Sequence, residues 1–277
     1  MSTLYHVTKD DAMKYAIKSL SSAFFIFSAF FFCHTYTIQL FNFSYFTSNN
    51  NNIQYSKTYT LSPNAAVSLY GENSTVTVDV WDKNTFKLDA KATYPPKDKQ
   101  DPPYTIEKKK QDLTIKTINT SYTSLEYHLL MPRNTKLKVM NTKGNITLSG
   151  AGAPADLETT AGSIKVENAS SGLTAKAPAG SVSIEQNELH NDQHIFVQAQ
   201  KKIKMTLAPS ISANLKAHAP KGRITSDQSI TLDPITMKLK KKNWKNLQKN
   251  VSGKIGSGGS SIILESDKGS IHLAQDI

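Results

Sequence analysis

The sequence is poor in the residues that covalent cross-links and most reaction centres require. Its 277 residues include a single cysteine, Cys33, so no intramolecular disulfide forms and no zinc site is built from thiolates. No serine stands in the Gly-x-Ser-x-Gly pattern of a nucleophile elbow, and no phosphate-binding glycine loop precedes a helical pattern. The sequence therefore argues against the commonest signatures of hydrolases and nucleotide-binding enzymes.

Metal-binding signals are equally weak. Seven histidines are dispersed through the chain, and only His190 and His194 stand at short spacing. Their segment is polar and loop-like, and it offers no third ligand of the kind that a zinc site needs. The sequence therefore predicts no metal and no cofactor.

Acidic residues give no clear catalytic pair. β-Helical proteins often host polysaccharide-degrading enzymes, which use two carboxylates that flank the scissile bond. Four carboxylates lie on or beside predicted strands: Asp79, Asp82, Asp89 and Glu107. Nothing in the sequence selects two of them, so it predicts no catalytic residue. A polysaccharide-processing enzyme is the least favoured functional hypothesis.

The longest stretch without charge lies near the N-terminus. No charged residue appears between Lys18 and Lys57, and residues 20–46 are dominated by Phe, Ile, Leu, Ala and Tyr. This length is enough to span a bilayer, although its most apolar part also fits a signal-peptide core. We expect an uncleaved signal-anchor over 20–46, because the phenylalanine run leaves no small residues at a cleavage position. The alternatives are a cleaved signal peptide and a buried helix.

The charges that flank this segment predict its orientation. Lys14 and Lys18 immediately precede the apolar run, and by the positive-inside rule they place residues 1–19 in the cytoplasm. Everything beyond the anchor would then be exported, to the periplasm or the cell surface. The sequence thus predicts a single-pass membrane protein with an exported C-terminal domain.

Polar and alternating segments follow the anchor. Residues 47–60 contain four consecutive asparagines and predict a polar linker. Residues 61–132 contain short alternating runs separated by turn residues, which we expect to form antiparallel strands. The clearest runs are Val67–Leu69, Val76–Val80, Phe86–Leu88 and Leu113–Ile115.

The most informative feature is a glycine-containing sequence motif that occurs five times within residues 133–277. In each, a glycine and a polar residue precede an alternating run that begins with Ile or Val. The turn glycines are Gly144, Gly162, Gly180, Gly222 and Gly269. The first three stand 18 residues apart. Such a repeat predicts a β-solenoid whose glycines ease a corner with positive φ.

The repeat also predicts how the core is built. Coils stacked about 4.8 Å apart would align one aliphatic residue from each coil in an interior ladder. The expected members are Ile146, Ile164, Val182, Ile203, Ile224 and Ile271. One coil keeps this spacing with Lys201 in the place of glycine, so the inward apolar residues define the coil. The alternative is a β-sandwich with evenly spaced strands.

These phrases carry a family resemblance. The stretches Leu137–Gly150, Leu157–Gly172 and Gly253–Leu273 resemble the bacterial putative-adhesin family of β-helical domains of unknown function, over about Val67–Ala274. The resemblance implies an all-β fold with a strand-rich opening and a glycine-turn solenoid, often behind a membrane anchor. It implies no catalytic residue. The chain departs from the pattern at Lys201 and in a Lys-rich insertion.

Positive charge is in excess and concentrates in that insertion, residues 234–250. The chain has 33 Lys and Arg against 22 Asp and Glu, a net charge of +11, which favours anionic partners. The candidate binding residues are Lys238, Lys240, Lys241, Lys242, Trp244, Lys245 and Lys249. As a helix they would form a basic amphipathic turn suited to anionic headgroups, and the alternative is a loop solvated by its own charge. Nucleic acid is not expected, because single-strand binding needs several interleaved aromatics.

The sequence favours a non-enzymatic, membrane-anchored envelope protein whose solenoid displays a binding surface to a glycan, an envelope polymer or a protein. The alternative, from a different functional class, is an envelope-stress or membrane-surface sensor that binds anionic lipid through the Lys-rich insertion. The sequence leaves the ligand and the oligomeric state open.

Overall fold

The computed structural model describes residues 44–47, 51–62, 64–95, 101–118, 121–233 and 249–276. All regular secondary structure in these residues is β-strand. Within this part of the chain, no helix has the length and apolar character needed to cross a membrane. The predicted cytoplasmic segment 1–19 and nearly all of the predicted anchor 20–46 lie outside the described residues.

The strands are short and follow one another closely along the chain. In order they are β1 (Ser44–Thr47), β2 (Asn52–Thr60), β3 (Ala66–Gly71), β4 (Thr75–Trp81), β5 (Thr85–Thr93), β6 (Tyr104–Lys109), β7 (Asp112–Thr117), β8 (Ser124–Pro132), β9 (Lys136–Lys143), β10 (Ile146–Ser149), β11 (Ala155–Ala161), β12 (Ile164–Ala169), β13 (Leu173–Ala177), β14 (Val182–Gln186), β15 (His194–Ala199), β16 (Ile203–Leu207), β17 (Ala213–His218), β18 (Ile224–Ser226), β19 (Ile230–Leu232), β20 (Asn250–Ile255), β21 (Ser260–Ser266) and β22 (Ile271–Gln275).

The described strands form two sheets of eleven strands each. Sheet A has the order β1-β2-β5-β8-β4-β10-β12-β14-β16-β22-β18, and sheet B has the order β19-β20-β17-β21-β15-β13-β11-β9-β3-β7-β6. All neighbours are parallel from β8 to β18 in sheet A and from β7 to β17 in sheet B. Each coil contributes one strand to each sheet, which is the predicted all-β solenoid.

Burial alternates residue by residue along these strands. In β13 and β14, buried residues alternate strictly with half-buried ones. Because successive side chains of a strand point to opposite faces, both sheets turn an aliphatic face inward and a polar face outward. The core therefore lies between the two sheets and runs the length of the stack.

The predicted interior ladder is confirmed, with one change in its order. Its members stand in the spatial sequence Ile146, Ile164, Val182, Ile203, Ile271 and Ile224. All of them are buried. Ile271 thus lies between Ile203 and Ile224, although it comes last in the chain.

This change reflects an inserted coil at the C-terminal end. The last coil, β21 and β22, lies between the coil of β15 and β16 and the coil of β17 and β18 in both sheets. The β17 coil is made earlier in the chain but sits further out, where β20 covers the free side of β17 in antiparallel register. Stacking follows chain order up to β16 and departs from it afterwards.

The turn glycines have a different physical role from the predicted one. Only Gly144 has a positive φ, at 113°. What the five share is backbone contact between coils: a Cβ on Gly162 would fall on the carbonyl oxygen of Gly144, and a Cβ on Gly180 would fall on that of Gly162. Gly222 and Gly269 face a neighbouring carbonyl oxygen in the same way. Glycine is required because the next coil occupies the space of a side chain.

Lys201 shows how one coil tolerates a side chain at this corner. Its amide nitrogen donates a hydrogen bond to the carbonyl of Gly180 at 2.9 Å. The coil above it restores the pattern, because a Cβ on Gly269 would meet the carbonyl of Lys201. The corner therefore accepts a lysine in place of glycine in this one coil, where the backbone amide of Lys201 points toward the carbonyl of Gly180.

Buried polar side chains satisfy the carbonyl groups at the same corner. The bonds run from Asn141 Nδ2 to Ser74 O at 2.6 Å, from Thr159 Oγ1 to Gly144 O at 2.8 Å and from Ser266 Oγ to Lys201 O at 2.5 Å. All three donors belong to residues that are buried at the C-terminal ends of sheet B strands. A buried polar group left without a partner costs about 1–3 kcal/mol, so these bonds remove a penalty of the close stacking.

The strand-rich part 61–132 is of mixed direction, which corrects the antiparallel expectation. β5 is antiparallel to β2 and β8, and β6 is antiparallel to β7. In contrast, β3 and β4 lie parallel to both of their neighbours. The alternating runs predict these strands, but alternation carries no information on the direction of the partner strand.

Residues 52–60 form β2, which corrects the polar linker predicted over 47–60. Ile53, Tyr55 and Tyr59 are buried, and β2 pairs with β5 along its whole length. The asparagine run and the intervening polar residues lower the mean hydropathy but leave period-two alternation intact. β1 pairs antiparallel with β2, so Ser44–Phe46, the end of the predicted anchor, belongs to the sheet.

Tyrosines fill the core between β2, β6 and β8. The ring of Tyr104 lies edge-on to Tyr55 and Tyr127, with centroids 6.3 and 6.1 Å apart. The hydroxyl of Tyr127 shares a hydrogen bond of 2.9 Å with Thr117 Oγ1. The Tyr104 hydroxyl is buried and has no hydrogen-bond partner among the described residues. Burial raises the pKa of Tyr104 and of Tyr127 above the usual 10.0.

Substitution of Gly180 by Ala tests the close approach of the coils. The new Cβ would overlap the carbonyl of Gly162. This overlap can be relieved only by separating two coils whose strands are hydrogen-bonded to each other. We expect Gly180→Ala to lower the free energy of unfolding by about 2–4 kcal/mol in urea denaturation. Lys201→Ala is the matched control and should cost less than about 1 kcal/mol, because Lys201 already has a Cβ. Equal losses for the two variants would contradict the explanation.

Substitution of Tyr104 by Phe tests the buried hydroxyl. Removing an unpartnered buried polar atom should leave stability unchanged or raise it by about 1 kcal/mol at neutral pH. Because the folded-state pKa lies above the unfolded value of 10.0, the neutral tyrosine stabilises the fold fully below pH 10 and less as pH rises further. Tyr104→Phe should therefore flatten the loss of stability in alkali, as measured by urea denaturation across that range.

Tyr122→Phe is the control for this prediction. The Tyr122 hydroxyl donates to the carbonyl of Glu72, and burial raises the pKa of Tyr122 to about 12. Its removal should cost about 1 kcal/mol, since a satisfied hydrogen bond is lost. A destabilising Tyr104→Phe would mean that the hydroxyl has a partner.

Candidate functional site

The outer face of sheet A carries a continuous row of polar side chains. In-register parallel pairing places one residue from each strand at the same height, about 4.8 Å from the next. The row, called here the central row, consists of Thr77, Thr147, Lys165, Ser183, Lys204, His272 and Thr225. Its members are half-buried or exposed. The solenoid therefore presents a regular, extended polar surface.

A groove of about 480 Å³ lies at the N-terminal end of this face. Strands β2, β5, β8 and β4 form its floor, and their outward residues line it. The charged members are Asp79, Asp89, Lys91, Glu126 and His128. The groove brings Asp79 and Asp89 together from two strands that are not adjacent.

Both aspartates are hydrogen-bonded to neighbouring side chains. Asp89 accepts from Ser56 Oγ at 2.6 Å and from Lys87 Nζ at 2.7 Å. The second carboxylate, Asp79, contacts His128, with 2.7 Å between Oδ2 and Nε2, and both side chains of that pair are more than 40% exposed. Exposed ion pairs contribute little to stability, so this pair shapes the groove more than it holds the fold.

The other two carboxylates that the sequence singles out lie elsewhere. Asp82 approaches Arg133, with 3.6 Å between Oδ1 and Nε, at the turn after β4. Glu107 lies on sheet B, 3.7 Å from Lys116 Nζ. The structure thus brings together two of the four. The histidine between them is missed by sequence reasoning, because β4 and β8 are far apart in the chain.

A second groove, of about 330 Å³, surrounds the same turn after β4. Trp81 lies in it and donates from Nε1 to the carbonyl of Thr85 at 2.6 Å. The ammonium of Lys83 lies 4.7 Å from the centroid of the Trp81 ring, within the range of a cation–π contact. The Trp81 ring is therefore already covered by a cation of the same turn.

The remaining predicted residues divide into placed and unplaced ones. His190 and His194 are exposed, and the described residues contain no cluster of three or more metal-ligating side chains. Of the candidate binding residues in the Lys-rich insertion, only Lys249 is described; its carbonyl accepts from the amide of Ala219 at 2.7 Å. Its other candidates, Lys238, Lys240, Lys241, Lys242, Trp244 and Lys245, lie outside the described residues. The turn glycines line one corner of the stack.

Comparison with known proteins identifies a family. The model of the Toastrack DUF4097 family matches residues 47–274. This match begins earlier than the resemblance over Val67–Ala274 and includes β2. No curated protein matches the sequence.

Several solved structures match the chain at low identity. A putative cell adhesion protein from Clostridium sporogenes is 13% identical with a TM-score of 0.44, and the match covers 80% of this chain and 99% of that one. A putative adhesin from Bacteroides fragilis is 9% identical with a TM-score of 0.36, over 79% and 96% of the two chains. A putative lipid binding protein from Parabacteroides distasonis is 11% identical with a TM-score of 0.32, over 81% and 97%.

Proposed function

The chain belongs to the Toastrack DUF4097 family, and from this premise we propose that it is a non-enzymatic binding protein that displays the outer face of sheet A to an envelope polymer or a protein partner. The observation that carries the proposal is the central row. Parallel stacking repeats outward polar side chains at a constant interval, and this suits a ligand that is itself extended.

The shape of the surface supports binding over catalysis. Enzymes that act on small molecules usually enclose most of the substrate in a concave pocket. The grooves described above are open, and the one with two aspartates lies on a sheet face. Both oxygens of Asp89 are engaged by Ser56 and Lys87, which leaves that carboxylate poorly placed for proton transfer to a substrate.

Binding to purified envelope polymers tests the proposal. Full-length protein in a neutral detergent should co-sediment saturably with insoluble cell-wall polymer and should release no soluble fragments. The variant Thr147→Glu with Ser183→Glu interrupts the central row with two like charges and should weaken binding at least about 10-fold, a difference of about 1.4 kcal/mol. Thr114→Glu with Thr174→Glu, on the outer face of sheet B, is the matched control and should bind normally. Released fragments would indicate an enzyme, and equal binding by both variants would exclude this face.

The lipid-sensing alternative has its own test. The lysines of the insertion favour anionic headgroups on charge alone. In the same experiment, vesicles that contain phosphatidylglycerol replace the polymer, and Lys240, Lys241 and Lys242 are changed to Glu. Loss of vesicle binding with retained polymer binding would favour the sensor.

We propose further that the chain is a single-pass membrane protein with its C-terminal domain exported. The support is the uncharged stretch over 20–46 and the lysines before it. The protein should sediment with membranes, resist extraction at high salt, and be degraded by protease added to intact spheroplasts. Protection from the protease would show that the C-terminal domain is not exported. Recovery in the soluble fraction would contradict the membrane anchor.

A further inference from the structure

Six exposed cations gather at the glycine corner of the three C-terminal coils. Lys201, Lys202 and Lys204 come from the turn into β16 and from that strand, Lys268 from the turn into β22, and Lys221 and Arg223 from the turn into β18. These strands are neighbours in sheet A, in the order β16-β22-β18. We call this set the basic ridge: Lys201, Lys202, Lys204, Lys221, Arg223 and Lys268.

Close stacking sets the spacing of the ridge. The carbonyl of Lys201 lies against Gly269 and the carbonyl of Gly269 against Gly222, so the three turns follow one another at the interstrand distance of about 4.8 Å. Arg223 is held in register by its amide, which donates to Ser270 Oγ at 3.2 Å. The cations therefore run along the stacking axis, with three from the β16 coil, one from the β22 coil and two from the β18 coil.

The cations of the ridge are not neutralised by nearby acids. Among the described residues, no ion pair within 4.0 Å includes any of the six. Glu265 and Asp267 precede the same turn as Lys268, and neither forms an ion pair in that part of the chain. Six adjacent like charges repel one another, and a bound polyanion would relieve that repulsion.

Charge is sorted between the two edges of sheet A. Because its solenoid strands are parallel, all their N-terminal ends meet at the ridge edge and all their C-terminal ends meet at the opposite edge. The opposite edge carries acids: Glu167, Glu185, Glu188, Asp227 and Asp276. At the three C-terminal coils, such separation makes the ridge edge more positive than the opposite edge.

The flat faces differ from the ridge. On sheet A, Lys165 forms an ion pair with Glu167, and on sheet B, Lys138 approaches Asp156 at 3.9 Å. Other lysines of the flat faces are spread over several strands, whereas the six cations of the ridge come from three neighbouring coils. The arrangement suits a narrow, extended ligand.

We propose that the basic ridge binds a linear polyanion that lies along the stacking axis of the solenoid. The anionic groups of the polymer, phosphates or carboxylates, contact the ammonium and guanidinium groups of successive coils. Arg223 supplies the bidentate geometry that such groups favour, and the lysines act as point charges. This inference rests on the proposed binding function, adds a second site at the edge of the sheet A face, and names the chemical class of its ligand.

Fluorescence anisotropy with labelled inorganic polyphosphate tests the ridge in the full-length protein, in a neutral detergent. The ridge variant combines Lys202→Gln, Lys221→Gln, Arg223→Gln and Lys268→Gln. We expect it to bind at least about 10-fold more weakly than the wild type and to show a smaller dependence of affinity on salt, since fewer counterions are released. Polygalacturonate as competitor shows whether carboxylates serve as well as phosphates.

The control removes the same charge elsewhere. Lys108→Gln, Lys109→Gln, Lys136→Gln and Lys254→Gln all lie on sheet B strands and are exposed. This variant should bind polyphosphate like the wild type, and thermal unfolding of both variants shows whether the fold is kept. If both variants bind polyphosphate equally weakly, the effect comes from net charge alone, and the proposal of a binding site at the basic ridge is wrong.

Two further outcomes separate the ridge from the broader function. If the ridge variant keeps polyphosphate binding but loses binding to phosphatidylglycerol vesicles, the ridge is a membrane contact and the inference is wrong. If the wild type binds cell-wall polymer but no polyanion, the inference fails and the proposed function stands. If it binds neither, both fail.

Discussion

The contact between backbones at the glycine corner is the constraint on which the rest of the structure depends. Parallel hydrogen bonding draws neighbouring coils to about 4.8 Å, and at a corner this leaves no room for a Cβ between Gly180 and the carbonyl of Gly162. The same closeness buries carbonyl groups. The side chains of Asn141, Thr159 and Ser266 donate hydrogen bonds to these carbonyls. The aliphatic ladder can then stack in register, because every coil has the same height.

The repeat predicts much of this architecture from local pattern alone. Alternation shows which residues face inward, and equal spacing shows that Ile146, Ile164 and Val182 share a column. Local pattern does not show which strands are neighbours once chain order is broken, and so Ile271 takes an unexpected place in the ladder. β2 is missed for another reason: the asparagine run beside it lowers the mean hydropathy of the segment, although its period-two alternation is intact.

The candidate surfaces were harder to predict than the fold, for the same reason. Asp79 and His128 are 49 residues apart, and their contact depends on a parallel pairing of β4 with β8 that no local signal marks. The lysines at the corner show as ordinary scattered charges in the sequence. They become a line only when β22 is inserted between β16 and β18 and brings Lys268 between the other turns. The predicted membrane anchor and most of the Lys-rich insertion lie outside the described residues.

The inserted coil has a consequence for how the chain reaches its native state. The β17 strand is synthesised well before β21, yet it can take its final place only against β21. Before β21 has been synthesised, the edge of β15 is open to β17, which has a similar apolar spacing, and any pairing made at that stage has to be undone before β21 takes its place. The pairing of β17 with β21 therefore forms only after the later strand has been synthesised, whereas the coils up to β16 can stack in chain order.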